Sequence, residues 1–281
     1  MKKGKAIYEP VGKAGEYAKY ACNFYVGCSN DCDYCYCKRG VLSHTMGKPQ
    51  ATLKKCFRNI LHAMNVFQDE LSANLIELQK HGLFFTFTSD PMIPECFSLT
   101  IHAVDWAIAH KVPCKILTKC GDFIPSLPSR WIDKQETRKY LAFGFTLTGH
   151  DEMEPGASTN AERIATMKKL NEMGFKTFAS IEPVISIEAS KRMIMDSLYA
   201  CDLYKIGLMS GKREYTKDEV REFMQFVNEA LLNCSYSPKV YWKDSVLEYI
   251  GETRDNFPLT SGNNSITVNA DYDLFNTNRR G

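Results

Sequence analysis

Apolar residues along this chain follow two periods. Short, nearly unbroken apolar runs recur at 24–26, 83–88 (LFFTFT), 114–118 (CKILT), 141–148 (LAFGFTLT), 176–181 and 203–208 (LYKIGL). Each is too short for a helix and rich in strand formers, which predicts six buried strands. Between them the apolar positions fall at helical spacing. Leu53, Phe57, Ile60, Leu61, Met64, Phe67, Leu71, Leu75 and Leu78 predict one long amphipathic helix ending near Gly82. Further helices are expected from Ser98 to Lys111, from Ser129 to Tyr140 and over 188–200. Thr159 with Glu162 makes a capping-box pattern ahead of Ile164, Met167 and Leu170, and Gly174 stops that helix. Thr216 with Glu219 opens another, with Val220, Phe223, Val227 and Leu231 on one face.

Buried strands interleaved with helices are the pattern of an α/β protein whose parallel sheet is covered by helices. In a closed or partial β/α barrel, chemistry sits at the C-terminal ends of the strands. Residues 1–21 are polar, with Lys2, Lys3 and Lys5, and read as an N-terminal arm. The strand–helix units occupy 22–208. Residues 209–281 form an extension expected to pack on the barrel; its stretch VYWKDSVLEY holds another short element, and its polar tail from Asn263 ends in Arg279 and Arg280.

Composition narrows the classes. With 281 residues, 44% of them hydrophobic and 12% aromatic, the chain fills a sizeable core, and a net charge of +2 sets up no dominant basic field. Eleven cysteines in a chain this long, behind an N-terminus (MKKGKAIYEPVGKAGE) with no apolar segment of signal-peptide length, are expected to be reduced thiols in the cytoplasm. No apolar run approaches the roughly 18 residues of a membrane span.

The candidate chemistry begins at CSNDCDYC. Cys28, Cys32 and Cys35 stand at spacing C-x3-C-x2-C directly after the apolar run Phe24 to Val26. Three thiolates on one loop hold three irons of a 4Fe-4S cluster and leave one iron open to an exogenous ligand. Two other readings use neighbouring residues. Cys37 or His44 would complete a zinc site of four cysteines or of three cysteines and one histidine, although C-x3-C-x2-C lacks the paired C-x2-C hooks of structural zinc. Cys37 as a fourth cluster ligand makes a plain Fe-S electron carrier. With Tyr34 just before the last cysteine, the stretch resembles the signature of the radical SAM superfamily, whose open iron chelates S-adenosylmethionine.

Further motifs narrow the resemblance. Gly27, Tyr34-Cys35-Tyr36, Thr88-Ser89-Asp90, Thr118-Lys119 and Glu154-Pro155-Gly156 are similar, in order, to those of the spore photoproduct lyase-like branch, over roughly residues 20 to 190. The resemblance implies a partial (β/α)6 barrel, a 4Fe-4S cluster on Cys28, Cys32 and Cys35, and reductive cleavage of S-adenosylmethionine to a 5'-deoxyadenosyl radical. It implies that Ser89 binds the methionyl end of the cofactor, with Asp90 in the same motif, and that Lys119 binds its carboxylate. Thr146 faces the ribose, the Ile181-Glu182 backbone the adenine, and Tyr34 lines the cluster pocket. It further implies an external one-electron donor of the flavodoxin or ferredoxin type. A nucleic-acid substrate is implied by analogy alone, and peptides or small metabolites suit the residues equally.

One position departs from the branch. The lyase carries a hydrogen-donating cysteine just before its TSD, and this chain has Phe87, which has no S–H. Photoproduct repair by that route is therefore not expected. Candidate hydrogen donors are Cys37, Cys96 and Cys120, each just past a motif, and Tyr36. Cys22, Cys114, Cys201 and Cys234 fall in or beside apolar segments and read as packing. Glu154, Glu182 and His150 are secondary candidates at strand ends.

Overall fold

The apolar runs fold into strands, with the first displaced from where the alternation puts it. In the computed structural model, which describes residues 5–40, 43–211, 213–255, 257 and 266–276, the chain divides into two units. The first comprises Met1–Phe143 and Asp151–Ser158, the second Gly144–His150 and Thr159–Gly281. Lys2, Lys3, Asn263, Arg279 and Arg280 lie outside the described residues.

In the first unit the arm carries an edge strand. Strand β1 (Ile7–Tyr8) pairs antiparallel with β2 (Ala21–Cys22), and the amides of Lys5, Ala6 and Ile7 donate to the Glu70 carboxylate at 2.6, 3.0 and 2.7 Å. The run at 24–26, expected as the first barrel strand, instead gives β3 (Tyr25–Val26), which pairs antiparallel with β4 (Thr52–Leu53) in a small sheet of its own. Asn23 explains the displacement. Its Oδ1 accepts from the Phe87 amide (2.9 Å) and its Nδ2 donates to the Tyr8 hydroxyl (2.6 Å), so the chain leaves the parallel sheet there. Strand β2 is the one that runs parallel to the rest, with Ala21 opposite Phe84 and Cys22 opposite Phe85.

Helix α1 (Ser43–Met46) follows the cysteine loop. The single helix expected over 53–78 starts later and is broken into α2 (Ile60–Ala73) and α3 (Leu75–His81). Asn59 starts α2 by accepting from the His62 amide at 2.8 Å, as an N-cap does. Asn74 breaks it, with its backbone out of the helical region and its side chain donating back to the Glu70 carbonyl at 2.7 Å.

Strand β5 (Leu83–Phe85), helix α4 (Pro94–Ala109) and strand β6 (Cys114–Thr118) follow, with β5 and β6 parallel and Leu83 opposite Cys114. Helix α4 begins at Pro94 rather than Ser98 because proline suits the first turn. In place of one helix over 129–140 there are α5 (Ser129–Asp133) and α6 (Gln135–Arg138). Strand β5 alternates across the sheet. Phe85 joins Phe67, which meets Phe24 at 5.6 Å between ring centroids, while Phe84 stacks on Phe87 at 4.5 Å and 10°.

Strand β7 (Leu141–Thr146) begins in the first unit and ends in the second. There α7 (Asn160–Glu172), β8 (Lys176–Val184), α8 (Ile187–Ser197), β9 (Leu203–Leu208) and α9 (Lys217–Leu232) follow the expected order, and both capping boxes form. The extension's short element is a strand, β10 (Lys239–Trp242), and a helix, α10 (Asp244–Ile250). Strand β10 runs parallel to β9, as β9 does to β8. Ser180, Lys205 and Tyr241 are paired in one row, and Trp242 on the other face meets Phe223 of α9 at 6.1 Å, edge to face. The first unit combines parallel and antiparallel pairs and the second a parallel strand set, each with interleaved helices, the mixed α/β class the alternation predicts. No helix among the described residues is long and apolar enough to cross a membrane.

Candidate functional site

The cysteine loop leaves β3 at Gly27, which has φ 83° and would carry a Cβ only 2.3 Å from the Gln50 carbonyl oxygen, so only glycine fits. The Cys28 amide donates to the Lys48 carbonyl at 3.0 Å, and a single 3-10 turn over Tyr36–Lys38 closes the loop. Lys38 ties it across its width through an ion pair to Asp31 at 2.6 Å.

Within the loop, Asn30 is 2% exposed and its Nδ2 donates to Asp90 Oδ2 at 2.8 Å. The same carboxylate accepts from the Lys119 amide (2.7 Å), the Thr118 hydroxyl (2.7 Å) and the Met92 amide (2.9 Å). A carboxylate has about four lone-pair sites, and Asp90 spends them on the cysteine loop, its own turn and the end of β6. Its carboxylate thus joins the TSD and TK motifs to the loop. Lys119 places its ammonium 5.6 Å from the centre of the Tyr34 ring, and the Tyr34 hydroxyl donates to Glu154. Ser89 lies with its hydroxyl 3.2 Å from Cys96 Sγ.

The candidate hydrogen donors separate into two places. Tyr36 donates its hydroxyl to the Phe87 carbonyl, and Cys37 Sγ stands 3.9 Å from that same oxygen. Cys120 instead stands 4.0 Å from Asp90 Oδ1, with its amide on the Thr118 hydroxyl, and Cys96 is buried behind Ser89.

Burial sets most of the thiols. It pushes Cys28 up to about 12, with the Asp90 charge adding to the effect, and it also raises Cys32. Cys96 is pushed up to about 12 by burial. Cys35 is the exception: the neighbouring Cys37 thiol holds it down at about 6, and Cys37 itself is pushed up.

Three predicted residues belong to the second unit. Thr146 ends β7, with its carbonyl accepting from the buried Arg163 guanidinium at 2.8 Å. Glu182 precedes Pro183 in β8 and pairs with Lys243 at 2.6 Å. The His150 amide donates to the Thr148 hydroxyl at 3.3 Å. The sequence reading passed over Asn30, Lys243 and Gly207. Lys243 is a fully buried cation at the end of an apolar run, a signal visible in KVYWK. A Cβ on Gly207 would lie 2.7 Å from Glu182 Oε1 and 3.0 Å from Lys243 Cδ, so its glycine makes room for that pair.

Among the described residues, no three His, Cys, Asp or Glu side chains gather into a group that would hold a metal ion. A single ion draws its ligands to one point, whereas a cluster takes one thiolate on each of three irons. The donor set here is three thiols on one tied loop, and soft sulfur donors suit iron–sulfur chemistry. The residues fit a cluster.

No protein-family model matches the chain. An uncharacterised protein of Methanocaldococcus jannaschii is 25% identical over 177 residues, covering 60% of this chain and 61% of that relative, less than two thirds of its length. Spore photoproduct lyase complexed with dinucleoside spore photoproduct is similar at a TM-score of 0.59 and 16% identity, over 80% of this chain and 77% of the lyase. A cysteine-to-alanine mutant of that lyase gives a TM-score of 0.58, also at 16% identity. The fold resembles that of spore photoproduct lyase, and at 16% identity the likeness is one of fold alone.

Proposed function

We propose that this chain is a radical SAM enzyme in which Cys28, Cys32 and Cys35 hold a 4Fe-4S cluster with one iron left for S-adenosylmethionine. The observation that carries the reading is the Asp90 junction, which brings the cysteine loop, the TSD turn and Lys119 to one place in the first unit. When bound and reduced by an external donor of the flavodoxin or ferredoxin type, cluster and cofactor together supply a 5'-deoxyadenosyl radical that abstracts hydrogen from the substrate.

The protein's residues bind and aim. Lys119 is a cationic partner for the cofactor's carboxylate, the Ser89 hydroxyl serves its methionyl end, and Tyr34 lines the pocket beside them. Thr146 serves the ribose and the Ile181-Glu182 backbone the adenine, as the resemblance implies. Asp90 acts at one remove as a positioning residue, since its oxygens are engaged by the protein. The fold likeness to a lyase solved with a dinucleoside photoproduct supports a nucleic-acid substrate, with peptides and small metabolites as the other classes. Phe87 cannot return hydrogen to a substrate radical. Tyr36 and Cys37, both at its carbonyl, are better placed for that task than Cys96 and Cys120.

The test is anaerobic reconstitution with iron and sulfide, addition of dithionite and S-adenosylmethionine, and chromatography for 5'-deoxyadenosine. Wild type is expected to form it and Cys32→Ala is not. Bound zinc with no cluster sinks the reading. One observation favours a second reading: Cys37 is a buried thiol two residues past Cys35 on the same turn, where it could serve as the fourth ligand in an electron carrier. Loss of the cluster in Cys37→Ala supports that carrier; retention supports the open iron.

A further inference from the structure

Residues Asp151–Ser158 belong with the first unit, although the residues on either side of them in sequence belong to the second. We infer that this segment is a brace that sets the cysteine loop in the shape the cluster needs, with Glu154 and Gly156 as positioning residues. The inference rests on the cluster reading for its ligand, and on the following contacts for its geometry.

The segment and the loop are laced backbone to backbone. The Asp33 amide donates to the Met153 carbonyl at 3.0 Å, and the Gly156 amide donates to the Asn30 carbonyl at 3.1 Å. At Gly156 the approach is so close that a Cβ would lie 1.9 Å from the Ser29 carbonyl oxygen and 3.0 Å from Asn30 Cα. A side chain there displaces backbone, which has nowhere easy to go. The Tyr34 hydroxyl adds a side-chain contact by donating to Glu154, a carboxylate 2% exposed. Residues 29, 30, 33 and 34 flank Cys32 on both sides, so the contacts fix the middle cysteine of the three.

The brace is itself anchored. The Glu154 amide donates to the Asp151 carbonyl and the Ala157 amide to the Glu154 carbonyl, each at 3.0 Å, which makes a tight double turn. At its far end the Ser158 amide donates to the Lys119 carbonyl at 3.1 Å, and the Ser158 hydroxyl accepts from the Gly121 amide at 2.8 Å. Asp90 holds the loop through Asn30 and also holds the Lys119 amide, so loop, brace and the end of β6 form a closed circuit. A loop held at so many points keeps its thiols in place before iron arrives, and does not need iron to order it.

The full-length chain is tested as wild type, Gly156→Ala, Glu154→Gln and Glu154→Ala. In the metal-free protein, hydrogen exchange at the Asp33 and Gly156 amides is expected to be slow in wild type. It should be fast in Gly156→Ala, while the amides of β8 stay protected as a control on folding. After reconstitution, iron retention against a chelator is expected to fall about tenfold in Gly156→Ala and Glu154→Ala, the scale typical of lost outer-shell support. Glu154→Gln keeps an acceptor for the Tyr34 hydroxyl and is expected to retain iron. Variants that hold iron as wild type does, with equally protected loop amides, overturn the brace. If Gly156→Ala loses protection in β8 as well, Glu154→Ala against Glu154→Gln decides. Wild type that takes up no cluster defeats the radical SAM reading and the brace's service to it, while the exchange arm still reports whether the loop is held.

Discussion

The neighbouring Cys37 thiol holds Cys35 below the ordinary thiol range, and the consequence is readable by chemistry. Cys35, held at about 6, is mostly thiolate at pH 7, whereas Cys28, pushed up to about 12, is a thiol. The thiolate is the nucleophile, so iodoacetamide footprinting of the metal-free protein is expected to label Cys35 first, with a rate that rises through pH 6 and levels off by pH 8. Cys37→Ala removes that neighbour and should return the Cys35 profile to the ordinary thiol range; an unchanged profile defeats the assignment. A second residue-scale prediction concerns Lys243 and Glu182. Lys243 is fully buried, and Lys243→Met strands the carboxylate at the cost of about 3 kcal/mol in urea unfolding. Adding Glu182→Met should recover much of that loss, because the cost lies in the unpaired charge; simple additivity defeats the argument.

At the scale of elements, the helix starts marked by the capping boxes at Thr159 and Thr216 are complete within a few residues and were legible. Thr216 accepts from the Glu219 amide at 3.2 Å while the Glu219 carboxylate accepts from the Thr216 amide at 2.6 Å, and the pattern is complete within four residues. Thr216→Ala is expected to cost about 1 kcal/mol, a drop of roughly 2–4 °C in thermal melting. An unshifted transition removes the cap from the account. Elements that depend on distant partners were misread. Strand β3 takes its identity from Thr52 and Leu53, some 27 positions away. The candidate site divides in the same way. Its cysteines and its TSD and TK motifs are contiguous in sequence, and each was visible. The pairing of Asn30 with Asp90, of Tyr34 with Glu154 and of Lys243 with Glu182 spans 60, 120 and 61 positions, and no local pattern announces it.

For the whole molecule, buried acids set the response to alkali. Burial raises the thiols of Cys22, Cys114 and Cys201 and the phenols of Tyr8 and Tyr204, in both units. In the unfolded chain these groups ionise near their ordinary values, roughly 8.5 for cysteine and 10 for tyrosine. Above those values the unfolded state binds fewer protons than the native one, so stability falls as pH rises. Their contribution is intact below about pH 8.5 and is lost progressively above it. Melting temperature is expected to hold from pH 7 to 8.5 and to fall steeply by pH 10.5; a flat profile sinks the argument. The brace carries a last consequence, for synthesis. Gly156 follows Cys28 by 128 residues, the difference of their numbers, and a ribosome adding about 5–20 residues per second delivers it roughly 6 to 26 s later. During that interval the loop has its contacts to Lys48 and Asp90 but lacks the brace. The order of translation itself defers completion of the braced loop until more than half the chain has been made.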